Sequence, residues 1–188
     1  YVDWGYFIQG NEQTAGDSQI YFQKALDIYE RLEPINKERI AEIKRYLGDI
    51  ADFEGNTGKA IEYWKESEKL LEECSADLIK FEDVWAQLAD AYFDLKNYDE
   101  SLRYFNKRID SLENTEEGSS DTKMIGTVYF SLGRVYEEKE EFKEALEAYD
   151  QALGFHKLHF GQEDMKSQAT VRKVAEVLEK IHTISQGE

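Results

Sequence analysis

The chain has 188 residues, 41% hydrophobic and 34% charged, with 23 Lys and Arg against 40 Asp and Glu and a formal charge of −17 at pH 7. A single proline favours helices over strands, and with a mean hydropathy of −0.69 no apolar run approaches the roughly 18 residues that a bilayer crossing takes. The surplus of acids argues against direct nucleic-acid binding, because phosphate contacts need clustered Lys and Arg. The one cysteine, Cys74, cannot close an internal disulfide and no Asn-x-Ser/Thr acceptor is present, so an intracellular, cytoplasmic or nuclear setting is expected, with Cys74 packed as a small hydrophobe in a helix. The chain opens at Tyr1 without Met or a signal-like stretch, which reads as a processed chain or a piece of a longer one.

Taken in chain order, the first helical pattern with a clear end covers Ile20 to Leu32, with Ser18, Phe22 and Ala25 on its buried side; Pro34 stops it for want of an amide. Its preceding partner retains only Trp4-Gly5 and Ile8. Leu47-Gly48 then marks a helix paired with Ala60, Ile61, Trp64 and Ser67 across the turn Glu54 to Gly58. Val84, Trp85, Leu88, Ala91 and Tyr92 form the next amphipathic stripe, paired with Ser101, Leu102, Phe105 and Ile109 across Lys96 to Asp99, where Arg108 stands in a place that suits a small residue. Val128, Tyr129, Leu132, Val135 and Tyr136 follow, paired with Ala145, Leu146, Tyr149, Ala152 and Leu153 across Lys139 to Glu141. Connections this short force antiparallel neighbours. A last helix, from about Ser167, keeps Val174-Ala175 and Leu178 of the pattern. Two longer breaks run from Leu112 to Thr122 and from His156 to Asp164. The first is expected to be an exposed loop of turn formers and acids, whose Glu116–Asp121 stretch flanks serines with acids.

These patterns are copies of one another. Leu47-Gly48, Leu88-Ala89 and Leu132-Gly133 are each followed twelve residues later by Ala60, Ser101 and Ala145, and four after that by Trp64, Phe105 and Tyr149, so that the unit repeats at 41 and then 44 residues. Such a period marks a stacked helical array. The small residues predict close approach of the two backbones in a pair, with the large aromatics filling the gap to the next pair.

The strings Trp85-x-x-Leu88-Ala89-x-x-Tyr92, Leu132-Gly133-x-x-Tyr136 and Phe142-x-x-Ala145-x-x-x-Tyr149-x-x-Ala152-Leu153 resemble tetratricopeptide repeats over nearly the whole chain. The copies exceed the ordinary 34 residues and are similar to the longer variants of kinesin light chain and the Pins-type adaptors. Leu158 to Asp164 is similar to the kinesin-light-chain spacer, with Met165 where proline is usual. The resemblance implies an all-α, right-handed superhelical solenoid in one array, with repeats at about 1–34, 37–73, 78–113 and 122–158 and a capping helix at 164–184. It also implies a protein-interaction scaffold or adaptor that binds on the concave face of its first helices.

On that face the sequence places Arg45, Asp49 and Asp52, then Ala86, Asp90, Phe93 and Asp94, then Phe130, Arg134, Glu137 and Glu138. Asp49, Asp52, Asp90 and Asp94 are expected to form a continuous acidic stripe. Phe93 and Phe130, about 100° of helix rotation off the buried stripes, are expected to be anchors for a ligand. The chaperone-tail-binding members hold a terminal carboxylate with a Lys and an Asn one turn apart; here the corresponding pairs are Arg45/Asp49, Ala86/Asp90 and Phe130/Arg134, so no such clamp is present. The expected partner is therefore a protein segment or helix that is basic and partly apolar. An alternative is an assembly segment that stacks on further repeats or another copy.

No catalytic residue, cofactor or metal is expected. A Gly-rich phosphate loop, HExxH and CxxC are all missing from the sequence. His156 and His159, with Glu163 and Asp164 nearby, could supply metal ligands, but they read better as surface residues near a helix end, where a cation suits the dipole.

Overall fold

Asparagine or aspartate starts four of the helices. Asn36 accepts the Arg39 amide at 3.0 Å, Asn56 that of Lys59 at 3.3 Å, Asn97 that of Glu100 at 3.5 Å and Asp164 that of Lys166 at 2.8 Å. Each satisfies a donor that the first helical turn leaves without a partner. The structure, a computed structural model, describes residues 12–32, 34–114 and 121–187. They form α1 (Glu12–Tyr29), α2 (Lys37–Phe53), α3 (Thr57–Glu73), α4 (Glu82–Asp94), α5 (Tyr98–Asn114), α6 (Asp121–Glu138), α7 (Phe142–Phe160) and α8 (Met165–Gly187), with a 3₁₀ turn at Leu78–Lys80. The fold is all-α: among the described residues there is no strand, and no helix is long and apolar enough to cross a membrane. α1 stops at Tyr29 rather than at Leu32, because bonds from Arg31 to Ile28 and from Leu32 to Tyr29 tighten its end before Pro34 is reached. Trp4, Gly5 and Ile8, and most of the loop expected from Leu112 to Thr122, lie outside the described residues.

One turn geometry recurs between paired helices. Gly55, Lys96 and Glu140 have φ of 79°, 58° and 61°, and the amide after each reaches back five residues, Asn56 to Ala51, Asn97 to Tyr92 and Glu141 to Tyr136. Only the first is glycine, so Lys96 and Glu140 carry the left-handed conformation at a cost of about 1–2 kcal/mol each.

Contacts divide the chain into two units, Tyr1–Ala91 and Tyr92–Glu188, the division falling within α4. In the first unit Phe22, Ala25 and Leu26 of α1 pack on Ile40, Ile43 and Leu47 of α2, with Phe22 stacked on Tyr46 at 5.1 Å. α3 lies on α2: the Ser67 hydroxyl donates to the Ala41 carbonyl at 2.7 Å, and the Trp64 indole N–H donates to Asp49 at 3.0 Å. In the second unit α7 lies on α6 in the same manner, and α8 brings the buried Val177 against Ala145 and Tyr149.

The role expected of the small residues needs correction. A Cβ added at Gly48 would stand 2.4 Å from Trp64 Nε1, and one at Gly133 would stand 2.6 Å from the Tyr149 ring. The space left by each glycine is thus filled by the aromatic side chain of its own pair, not by a second backbone. The reading of α8 also changes. Its buried positions are Ser167, Thr170 and Val177, with Val174 and Ile181 half-buried, whereas Ala175 and Leu178 are exposed. Cys74, expected inside a helix, is the exposed residue that ends α3, its thiol directed at the Leu71 carbonyl.

Two glycines test this packing against each other. Gly133→Leu should cost about 1–3 kcal/mol by overpacking against the buried Tyr149 ring. Gly154, mid-helix in α7 with open space where its Cβ would be, should behave oppositely, Gly154→Ala gaining about 0.5–1 kcal/mol of helix propensity. Urea unfolding of both variants reads the two signs; an unchanged midpoint for Gly133→Leu would mean that the α6–α7 pairing is wrong.

Candidate functional site

The end of α4, the turn that follows it, the start of α5, α6 and α8 wall a cavity of about 280 Å³ in the second unit. Five of the residues expected on a binding face meet here: Phe93, Asp94, Arg134, Glu137 and Glu138. Lys96, Tyr98 and Lys173 complete the lining and were not anticipated. Lys96 reaches the site through its left-handed turn position, and Lys173 arrives from α8, one repeat further along.

The chemistry of the lining is divided. The Arg134 guanidinium lies 4.6 Å over the Phe93 ring, which meets Tyr98 at 5.9 Å in a tilted pair. The Tyr98 hydroxyl donates to Glu138 at 3.5 Å, and Asp94 and Glu138 are exposed. Glu137 is different. Its carboxylate, 11% exposed, accepts from Tyr149 at 2.9 Å, from Lys180 at 2.7 Å and from Lys173 at 3.3 Å. Burial alone would raise its pKa, but the bonds from Lys180, Tyr149 and Lys173 together hold it below the usual carboxylate value. It therefore ties α6 to α7 and α8, while Asp94 and Glu138 carry the charge that solvent meets.

The other expected residues lie elsewhere. Phe130 does not line the cavity; it packs on Tyr149 at 5.3 Å and on His156 at 6.3 Å, beside the core that Val177 closes. Arg45, Asp49, Asp52 and Asp90 belong to the first unit. Arg45 stacks on Tyr46 at 4.1 Å and pairs with Asp49 at 2.9 Å. Asp49 also holds the Trp64 indole; burial raises its pKa, against the lowering effects of Arg45 and Trp64. Asp52 is exposed and accepts from Thr57 at 3.1 Å, and Asp90 is exposed.

His156 is not a surface residue as expected, but is 3% exposed between α6 and α8. The Thr170 hydroxyl donates its single proton to the Lys166 carbonyl at 2.8 Å, so His156 Nδ1 must carry the proton of the 2.9 Å bond to Thr170. That leaves Nε2 unprotonated, buried and without a hydrogen-bond partner among the described residues. Burial first, and the Lys166 charge second, lower its pKa, with Asp164 and the Lys166 backbone acting weakly the other way. The ring is thus a neutral packing element across three helices. Among the described residues no group of three His, Cys, Asp or Glu is placed to hold a metal ion.

Residues 82–157 match the family model of the tetratricopeptide repeat. The Tonsoku-like protein of Drosophila melanogaster is 33% identical over 73 residues, which are 39% of this chain and 5% of that protein, so the chain spans about a twentieth of that relative's length. Among solved structures, BtubC (BKLC) from P. vanneervenii aligns at a TM-score of 0.73 and 18% identity over 94% of this chain and 75% of its own. The kinesin light chain TPR-like repeats of Podosopora anserina align at 0.71 and 13% identity over 92% of this chain and 81% of theirs. At these identities the likeness is one of fold.

A pH dependence follows from His156. Its folded-state pKa is lowered, so the unfolded chain binds the extra proton first; the contribution to stability is full above the unfolded value of about 6.5 and is lost as pH falls through the folded value. Urea midpoints should fall between pH 7.5 and 5.5, and His156→Gln should remove part of that slope. An identical slope in the variant would mean that the ring is solvated.

Proposed function

With residues 82–157 taken as tetratricopeptide repeat, a type of repeat that generally mediates protein–protein interaction, we propose that this chain is an interaction scaffold for a basic, partly apolar peptide or helix. The cavity at Phe93 carries the reading. It places two aromatic rings, Phe93 and Tyr98, beside two exposed carboxylates, Asp94 and Glu138. A Lys or Arg side chain can lay its alkyl stem on such rings and present its charge to the acids. Arg134 on Phe93 already makes the pairing that a partner arginine would make. In the first unit the exposed Asp52 and Asp90 add to the same sign, and the net charge of −17 draws basic segments from a distance. The exposed thiol of Cys74 suits a reducing, intracellular compartment.

Binding to an immobilised library of basic peptides, repeated at low and high ionic strength, tests the reading. Affinity should fall with salt, and the double variant Asp94→Asn/Glu138→Gln should weaken binding severalfold and flatten that dependence. A binding segment that is itself acidic, or affinity indifferent to salt, would sink it.

The two phenylalanines provide a further contrast. Phe93→Ala should reduce peptide binding by about 1–2 kcal/mol with little change in stability. Phe130→Ala should do the reverse, costing about 2–3 kcal/mol of stability, below the roughly 3–5 of a fully buried phenylalanine. Calorimetry of binding and thermal unfolding of both variants separate the outcomes.

A further inference from the structure

We propose that Arg134 is a resident stand-in for the partner's cation: it occupies the Phe93 ring, is displaced when a partner arginine binds, and selects a segment in which that arginine is followed by an acid. This rests on the Phe93 cavity being the peptide site, and it names what the partner carries and what moves to admit it.

The repeat marks Arg134 as an exception. One residue after the small positions Gly48, Ala89, Gly133 and Ala175 stand Asp49, Asp90, Arg134 and Glu176, three acids and one cation. Four residues after the same positions stand Asp52, Phe93, Glu137 and Glu179, three acids and one aromatic. The two exceptions come from consecutive copies of the repeat, both in the second unit, and they meet: the Arg134 guanidinium lies 4.6 Å over the Phe93 ring. Arg134 is exposed and makes no ion pair among the described residues, although three carboxylates line the same cavity. An exposed contact of this kind is worth a factor of only about two to five. It therefore adds little to the fold and yields to a competing cation.

The charges of the cavity balance while Arg134 stays in place. Lys96, Arg134 and Lys173 share its lining with Asp94, Glu137 and Glu138, and Glu137 is already held by Tyr149, Lys173 and Lys180. An arginine arriving on Phe93 takes Asp94 and Glu138 as its counter-charges. The displaced Arg134 is then a surplus cation beside another cation, with no carboxylate left to it. An acid next to the arriving arginine supplies that carboxylate and restores the balance, whereas its absence leaves like charges side by side. Lysine is the poorer anchor, because its compact ammonium is more strongly hydrated and does not stack on a ring as a guanidinium does. The favoured partner is thus an Arg-Asp or Arg-Glu pair within an otherwise basic segment.

Two peptides, Lys-Gly-Leu-Arg-Asp-Gly-Lys and its Arg-Asn counterpart, acetylated and amidated, are titrated into the whole 188-residue chain. The Arg-Asp peptide should bind about threefold more tightly than the Arg-Asn peptide despite its lower positive charge, and Arg134→Gln should reverse that order. Arg134→Gln should also bind the Arg-Asn peptide severalfold more tightly than the unaltered chain does, with little change in its melting midpoint. Lys96→Gln removes an equal charge from the same cavity without vacating the ring, and should give a smaller gain. In proton NMR the Arg134 δ-methylene, shifted upfield by the Phe93 ring, should return toward its ordinary position as either peptide saturates the chain. Three outcomes would overturn the inference and leave the cavity as a peptide site: equal gains from the two variants, a preference for the Arg-Asp peptide that survives Arg134→Gln, or an Arg134 signal still shifted by the ring at saturation. Binding of neither peptide, to the chain or to Arg134→Gln, would remove both.

Discussion

An aromatic ring lying on a bare helix backbone is the contact on which the α2–α3 and α6–α7 pairs depend. Trp64 fills the space at Gly48 and Tyr149 the space at Gly133, closer than any side chain at those positions would permit. Burying such a ring is favourable, but its N–H or O–H then needs an acceptor, and an unsatisfied buried donor costs about 1–3 kcal/mol. The acceptor is an acid on the same first helix, Asp49 or Glu137. Ring, glycine and acid therefore act together. Glu137 extends the arrangement through Lys173 and Lys180 to α8, so that three helices are tied at one carboxylate.

The acidic composition accordingly serves two purposes. Asp49 and Glu137 are half-buried and spend their charge on Arg45, Lys173, Lys180 and the two aromatic tips. Asp94 and Glu138, one turn or less from these positions in their own helices or repeats, stay exposed. A stripe of acids on a helix can thus be half scaffold and half surface, and only the exposed half is available to a partner.

Helix positions were legible in the sequence because amphipathic periodicity, polar turns and a recurring Leu-small pair all report on the backbone. The repeat of left-handed turn residues was only partly legible, since glycine marks it at Gly55 but Lys96 and Glu140 adopt it without that signature. Side-chain surroundings were less accessible. Phe93 and Phe130 occupy similar angular positions on their helices, yet Phe130 turns toward Tyr149 and His156 because α8 closes the core beside it. His156 looked like a surface residue until a partner fourteen residues away, Thr170, took the polar load of one ring nitrogen. In α8, the choice of Val177 over Ala175 as the buried position depends on which face meets α7, which a period of 3.6 does not specify.

The placement of tryptophan gives the two units different optical signatures. All three indoles, at positions 4, 64 and 85, belong to Tyr1–Ala91, and Tyr92–Glu188 has none. Trp64 and Trp85 are both buried, their N–H groups bonded to Asp49 and Glu68. Emission excited at the red edge of the indole band is therefore a reporter of the first unit alone, while far-ultraviolet ellipticity sums the helices of both. Melting curves recorded in the two channels will superimpose only where the units lose their structure in concert.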